Sequence, residues 1–343
     1  MKTVILGRSG LAATRPALGC LPLQRCTVEE AVKILRRACE GGVRFFDTAH
    51  DYTDSELKIG QALGDVREEI LLASKSHALT YEGILTDIRE SLERLRTDHI
   101  DLFQLHQLKA LPDFDDPHSI YGAMLEAKRR GWVLHLGFSC HKLDVARAGV
   151  LSGRFETCQF PFSYLATDEE KELVALCRRE NVGFIAMKGL SGGLLTDARA
   201  CHAFMEQFDN VVPIWGVQRP EEMEQWLALA EEDPALDDEL RAVIEKDRSE
   251  LTGGFCRGCG YCLPCPEGIE INNAARMNML LRRSPWKKLV SDKEYEKMQR
   301  IENCRECYQC ASRCPYGLDT PQLLKYMLKD YNRFYEEHVG PRP

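Results

Sequence analysis

Eight of the 15 cysteines fall into two knots whose spacing suits metal chemistry. The first reads C-R-G-C-G-Y-C-L-P-C-P, placing Cys256, Cys259, Cys262 and Cys265 before Pro266. The second reads C-R-E-C-Y-Q-C-A-S-R-C-P, placing Cys304, Cys307, Cys310 and Cys314 before Pro315. Two-residue gaps let three thiolates from one tight loop reach three corners of a cubane iron–sulfur cluster. A more distant Cys-Pro supplies the fourth corner. A structural zinc site needs only paired C-x2-C knuckles for its tetrahedral sulfur set. The third evenly spaced cysteine and the Cys-Pro in both knots exceed that requirement, so the spacing predicts two [4Fe–4S] clusters.

A second constellation can move protons. Asp47 and Tyr52 lie in F-F-D-T-A-H-D-Y-T-D-S-E-L-K-I-G-Q-A-L (45–63), which leaves a predicted strand and enters a helix. Lys75 closes the run ILLASK, and His106 closes IDLFQLH. A free tyrosine titrates near pH ~10, too high for efficient acid catalysis at neutrality. A buried Lys75 cation beside Tyr52 is expected to favour the phenolate and lower that pKa, with Asp47 holding Lys75 charged. Tyr52 is then expected to protonate a substrate carbonyl as hydride arrives at its carbon.

Positioning these groups takes regular elements. Up to about residue 235, apolar runs alternate with amphipathic helical segments. The strand candidates are 17–20, 43–47, 70–75, 100–106, 133–139, 155–160, 182–188 and 211–215. Between them, Val28, Ala31, Val32 and Leu35 recur at helical spacing, with Gly41 capping the end. YEGILTDIRESLERL and DEEKELVALCRRE repeat the theme. This alternation predicts a (β/α)8 barrel, an α/β fold whose C-terminal strand ends share one mouth. A doubly wound sheet usually opens on G-x-G-x-x-G, which the sequence lacks. The expected division is a barrel over 1–235, a helical linker over 236–252, a cluster domain over 253–335 and a tail over 336–343. Gly253–Gly254 marks the boundary.

Composition narrows the function classes. At 343 residues, 44% hydrophobic and 29% charged, the chain reads as globular. A net charge of −8 without a long basic block makes nucleic acid and anionic membranes poor partners. The acidic run from Glu221 to Glu250 reads as a solvated helical face. No apolar run approaches the roughly 20 residues of a membrane span. The apolar stretch in MKTVILGRSG is too short for a signal-peptide core. The odd, uneven cysteine count argues against a secreted disulfide framework, so a reducing cytoplasm is expected.

The 45–63 motif resembles the signature of the aldo/keto reductase family, and the A-S-K and D-L-F-Q-L-H segments match it in order. With the cysteine knots, the resemblance is to the bacterial-type subgroup with a C-terminal 4Fe–4S ferredoxin-like domain. The helical spacer between the knots resembles α-helical dicluster ferredoxin modules. The resemblance implies catalytic Asp47, Tyr52, Lys75 and His106, with His106 orienting and polarising the carbonyl. It also implies NADP(H) or NAD(H). Ser139 and Gln159 are expected at the carboxamide, and Met187 stands where many members stack a tyrosine on the nicotinamide. Lys188 and Gly189, in the Gly-rich run 188–195, and Gly216 and Arg219, in W-G-V-Q-R-P-E-E, are expected near phosphate. Three positions depart from the family: Cys140 replaces an Asn, Glu222 an Arg at the 2′-phosphate, and Trp226 an Asn at adenine. In two-cluster ferredoxins the fourth cysteine of each knot ligates the other cluster. One cluster would then take Cys256, Cys259, Cys262 and Cys314, and the other Cys304, Cys307, Cys310 and Cys265. The gap from Cys262 to Cys265 is two residues where three is usual.

Nicotinamide delivers two electrons as hydride, whereas each cluster moves one. Three accounts remain open at this point. NAD(P)H could reduce a carbonyl, with the clusters wired to an external carrier (a ferredoxin or flavoprotein) through a bound flavin. The clusters could instead drive the reduction without nicotinamide. The chain could also be a non-catalytic electron-transfer or redox-sensing protein. The substrate is expected to be a small carbonyl compound, and His50, His77 and His141 hint at a hydrophilic one.

Overall fold

The computed structural model describes residues 1–251, 255–284 and 286–340; the expected boundary at Gly253–Gly254 lies outside them. Two compact units emerge, one of residues 1–189 and 199–240, the other of residues 190–198 and 241–343.

The first unit is a closed parallel barrel. Its strands are β3 (Ala17–Gly19), β4 (Phe45–Asp47), β5 (Leu71–Ser76), β6 (Ile100–Leu105), β7 (Val133–Ser139), β8 (Thr157–Pro161), β9 (Gly183–Met187) and β10 (Val211–Gly216), with β10 pairing back onto β3. All eight coincide with the runs read from sequence. Ahead of them runs an antiparallel hairpin, β1 (Lys2–Ile5) and β2 (Ala12–Arg15), which the sequence reading missed. Val4, Leu6 and Ala13 pack with Phe45, Leu102, Ile185 and Val212, so the hairpin plugs the N-terminal end of the barrel. Gly7 makes the fit possible: its φ is +55°, and a Cβ there would sit 2.5 Å from the Asn181 carbonyl oxygen.

Helices follow the strands. They are α1 (Val28–Glu40), α2 (Ser55–Leu63), α3 (Tyr81–Leu95), α4 (Ile120–Arg129), α5 (Leu143–Leu151), α6 (Asp168–Arg179), α7 (Ala198–Met205) and α8 (Pro220–Glu232). Their starts are chemically marked. Thr27 with Glu30, and Thr167 with Glu170, form reciprocal capping boxes, and Thr80 and Ser119 cap α3 and α4. The apolar stripe of α1 buries Ala31, Ile34, Leu35 and Ala38; of the residues expected on that face, Val28 is exposed and Val32 only partly buried.

The second unit contains α9 (Asp238–Glu250) from Arg241 onward, α10 (Ile271–Ala274), α11 (Met277–Arg283), α12 (Asp292–Gln299), α13 (Gln309–Ser312) and α14 (Thr320–His338). The expected tail from residue 336 instead begins as the last turn of α14. That helix buries Leu324, Met327, Tyr331 and Phe334 against Ile271, Met277, Leu281 and Met298. Its buried Asp330 accepts a bidentate pair from Arg282 at 2.7 and 2.8 Å. The Gly-rich run read as a phosphate loop divides between the units after Gly189. Its distal carbonyls are taken by arginines: Arg276 donates to Gly192 at 3.3 Å and Arg283 to Leu194 at 2.8 Å. No helix among the described residues is long and apolar enough to cross a membrane.

Candidate functional site

Asp47, Tyr52, Lys75 and His106 meet at the C-terminal mouth of the barrel, where this fold places its chemistry. Lys75 Nζ lies 2.7 Å from Asp47 Oδ1 and also donates to the Thr48 carbonyl, and both side chains are buried. Above the pair, Lys75 Nζ stands 5.3 Å from the Tyr52 ring centre. The His106 ring meets that tyrosine edge-on at 5.6 Å. Asp47 is held further by Gln104 at 3.4 Å and Gln159 at 3.3 Å, and the two glutamines bond each other at 2.8 Å.

The other residues of the motif fix the loop that carries Tyr52. The Ser55 hydroxyl donates to the Cys20 carbonyl at 3.1 Å. Buried Lys58 donates to Leu23, Cys26 and Asp54. Buried Glu56 accepts from Ser74 at 2.6 Å, tying α2 to β5 beside Lys75. The amide of His50 bonds the Lys75 carbonyl at 2.9 Å, which sets the register between the tyrosine loop and the lysine strand.

The electrostatics correct one expectation. The Tyr52 phenol is pushed well above its ordinary range, not below it. Burial is the largest cause, and the carboxylates of Asp47 and Asp51 add to it. Lys75 is paired with Asp47 and stands over the ring, and the phenol stays raised with that cation in place. Burial likewise pushes the Asp47 carboxyl up, against the pull of Lys75 and the two glutamine amides. His106 is lowered to about 4, chiefly by burial, so its ring is neutral at physiological pH.

Sequence reasoning missed Gln104 and Asp51. Gln104 precedes His106 by two residues, and strand alternation alone puts both on one face. Asp51 sits one residue before Tyr52 and accepts from both His106 Nδ1 and His77 Nδ1 at 3.0 Å. Of the three extra histidines, His77 thus joins the site, its ring stacked on His106 at 3.9 Å. His50 pairs instead with Asp87 and Glu90, at 3.5 and 3.6 Å, and His141 is buried.

The expected nucleotide residues scatter along the strand ends. Ser139 and Gln159 face each other across β7 and β8, and the Ser139 hydroxyl accepts the Gln107 amide at 3.0 Å. Cys140 is buried next to them. Met187 packs toward the barrel core, followed by Lys188, whose φ is +59°. A Cβ on Gly189 would strike Trp215 at 2.4 Å, and one on Gly216 would meet Pro22 at 2.9 Å. Trp226 is buried, stacked on Trp215 at 4.0 Å. At the start of α8, Glu222 accepts the Gln218 amide at 2.9 Å and pairs with Arg219 at 2.7 Å.

In the second unit the two cysteine knots share one backbone course. Gly258 and Glu306, third in C-R-G-C and C-R-E-C, are left-handed at φ +63° and +52°. Gly260 and Tyr308, each just after a second cysteine, are left-handed at +85° and +57°. Two cavities lie between the knots. One is lined by Cys256, Cys259, Cys262 and Cys314, and the other by Cys304, Cys307, Cys310, Cys265 and Cys262. Each therefore gathers three thiols of one knot with the last thiol of the other, a donor set that fits a cubane cluster, and Cys262 borders both cavities.

A parallel barrel with an acid–base cluster at its mouth, joined to a module of paired cysteine cavities, is a redox enzyme architecture. The chain belongs to the aldo/keto reductase family: that family's profile matches residues 15–210, more than half of the chain. A second profile, the 4Fe-4S dicluster domain, matches residues 255–319. Among similar proteins, the oxidoreductase YrpG of Bacillus subtilis (strain 168) is 29% identical over 222 residues, covering 57% of this chain and 68% of its own length. The NADH-specific methylglyoxal reductase of Escherichia coli (strain K12) is 26% identical over 226 residues, covering 57% and 69%. The solved aldo-keto reductase AKR11C1 from Bacillus halodurans, in its holo form, superposes with a TM-score of 0.63 at 22% identity. That match covers 72% of this chain and 96% of that one, and it carries the fold.

Proposed function

We propose that the chain is an NADH-linked reductase of small carbonyl compounds whose second unit holds two [4Fe–4S] clusters. The catalytic half rests on one observation: the buried Lys75–Asp47 pair at 2.7 Å, with the Tyr52 ring above its cation and His106 beside that ring. Ser139 and Gln159 would hold a nicotinamide, which would supply hydride to the carbonyl carbon. The residues of the chain handle the proton. Tyr52, kept as a phenol by its raised pKa, gives its Oη proton to the carbonyl oxygen and recovers one from water. The Lys75 cation stabilises the tyrosinate formed in between. Asp47, braced by Gln104 and Gln159, holds Lys75 in place. Cys256, Cys259, Cys262 and Cys314 would hold one cluster, and Cys304, Cys307, Cys310 and Cys265 the other. Such clusters supply one-electron transfer.

These ionisations set a pH profile. The rate is lost as pH rises through the raised Tyr52 pKa, because the proton donor disappears, and His106 keeps one charge state down to about pH 4. Initial rates under saturating nucleotide are expected to stay flat from about pH 5 to about pH 9. A tyrosine limb near neutrality would contradict the assignment.

The preference for NADH rests on Glu222. Its carboxylate already occupies the amide and arginine that a phosphate at the start of α8 would use. A 2′-phosphate meets that like charge, whereas a ribose 2′-hydroxyl can donate to it. The name of the Escherichia coli relative points the same way. Anaerobic fluorescence titration of the cluster-loaded protein is expected to show tighter NADH than NADPH binding. Glu222→Gln is expected to tighten NADPH by about tenfold. Binding of neither nucleotide would overturn the nicotinamide reading, and equal binding would overturn the role of Glu222.

A further inference from the structure

The two cysteine knots share a backbone course but not a charge environment. Their third residues sit at equivalent left-handed positions, Gly258 in the first knot and Glu306 in the second. Gly258 leaves space for a cation, since a Cβ there would lie 3.0 Å from Cζ of Arg276. Gly192 clears the other side, where a Cβ would lie 2.4 Å from Arg276 Nη1. That Nη1 donates to the Gly192 carbonyl at 3.3 Å, which fixes the guanidinium. The Gly258 amide in turn donates to Cys256 Sγ at 3.4 Å. One residue therefore separates the guanidinium from a thiol of the first cavity, the one lined by Cys256, Cys259, Cys262 and Cys314.

The second knot carries the opposite sign at the matching place. Glu306 stands there, offset by Lys325 at 2.5 Å. The cavity walls repeat the contrast. Among the described residues lining the first cavity none is acidic, and Arg257 is its basic one. The second is lined by Glu267 and Arg305, which neutralise each other at 2.7 Å. Each set has one buried thiol, Cys256 or Cys310, so burial differs mainly at exposed Cys307. That difference touches one thiol of a set, whereas a fixed cation acts on the whole cavity. Reduction adds one negative charge to a cubane cluster, and its potential follows the local charge and the hydrogen bonds to sulfur. A unit cation about 12 Å away shifts such an equilibrium by about tenfold at an effective dielectric constant of about 20.

We propose that Arg276, seated between Gly192 and Gly258, gives the first cavity the higher reduction potential, so that the first electron accepted from a one-electron donor is held there. Arg276 acts through space and ligates nothing. The inference rests on the two-cluster reading and is independent of the chemistry in the barrel.

The test is an anaerobic redox titration of the full chain with its clusters loaded, followed by EPR, with iron measured on the same samples. The unsubstituted protein is expected to take up two electrons in separate steps, and coincident steps would overturn the order. Arg276→Gln is expected to lower the equilibrium constant of the upper step by about tenfold, about 59 mV for a one-electron couple, and to leave the lower step in place. Arg276→Lys keeps the charge and is expected to keep most of the potential. Glu306→Gln, at an exposed position, is expected to raise the lower step alone. An upper step unmoved in Arg276→Gln with iron retained overturns the inference, as does Arg276→Lys falling as far as Arg276→Gln. If Arg276→Gln loses iron, Glu306→Gln decides. Movement of the lower step upholds the order, and movement of the upper step, or of neither, overturns it. Iron short of two clusters in the unsubstituted protein counts against the two-cluster reading instead.

Discussion

Tyr52→Phe is expected to lower kcat for carbonyl reduction by about 100- to 10,000-fold, the range that a positioned general acid contributes. Nicotinamide affinity should be unchanged. The substitution removes one oxygen from a half-buried ring and keeps the ring that faces Lys75 and His106. Steady-state rates together with fluorescence titration separate the two effects. A loss of rate with intact nucleotide binding identifies the proton donor. An unchanged rate would remove Tyr52 from the chemistry and with it the catalytic reading of the tetrad.

Lys75→Met should be the most damaging single change to the barrel itself. Asp47 is 2% exposed, and without the cation its carboxylate is left buried with only two glutamine amides. Breaking such a pair costs about 3–5 kcal/mol. Removing both charges together, as Asp47→Asn with Lys75→Met, should recover much of that stability, because an amide needs no counter-ion. Activity should stay lost in both variants. Urea denaturation of the cluster-loaded protein under anaerobic conditions reads the first effect and turnover the second. A double variant as unstable as the single one would show that the pair does not hold Asp47 in its ionised form.

The barrel was legible because its strands are short apolar runs separated by strong helical periodicity, and the closed order of eight depends on little else. The tetrad was legible for a related reason. Asp47, Lys75 and His106 terminate those runs, so knowing the strands places them. The hairpin at residues 2–15 escaped notice because its four-residue strands are largely exposed on β1 and alternate weakly, and their value lies in plugging a cavity made by distant strands. The direction of the Tyr52 shift was misread because residue types specify charge but not desolvation. Lys75 is near enough to stabilise a phenolate, yet burial and two carboxylates outweigh it. Asp51 and its contact with His77 were hidden by distance along the chain. The aspartate precedes the tyrosine and the histidine follows the lysine, and only the pairing of β4 with β5 brings them together. The two cysteine knots show the opposite case. Their identical left-handed positions follow from a local loop geometry, so a spacing rule found the thiols.

The central claim is that hydride reaches the substrate directly in the barrel while Tyr52 supplies the proton. Its most direct test is anaerobic turnover of short aldehydes and dicarbonyls, methylglyoxal among them, with NADH deuterated at the transferring C4 position. Mass spectrometry of the alcohol should find one deuterium on the new carbinol carbon and none exchanged from solvent. An alcohol carrying hydrogen from water at that carbon, formed only when the clusters are reduced, would contradict the account and assign the electrons to the clusters.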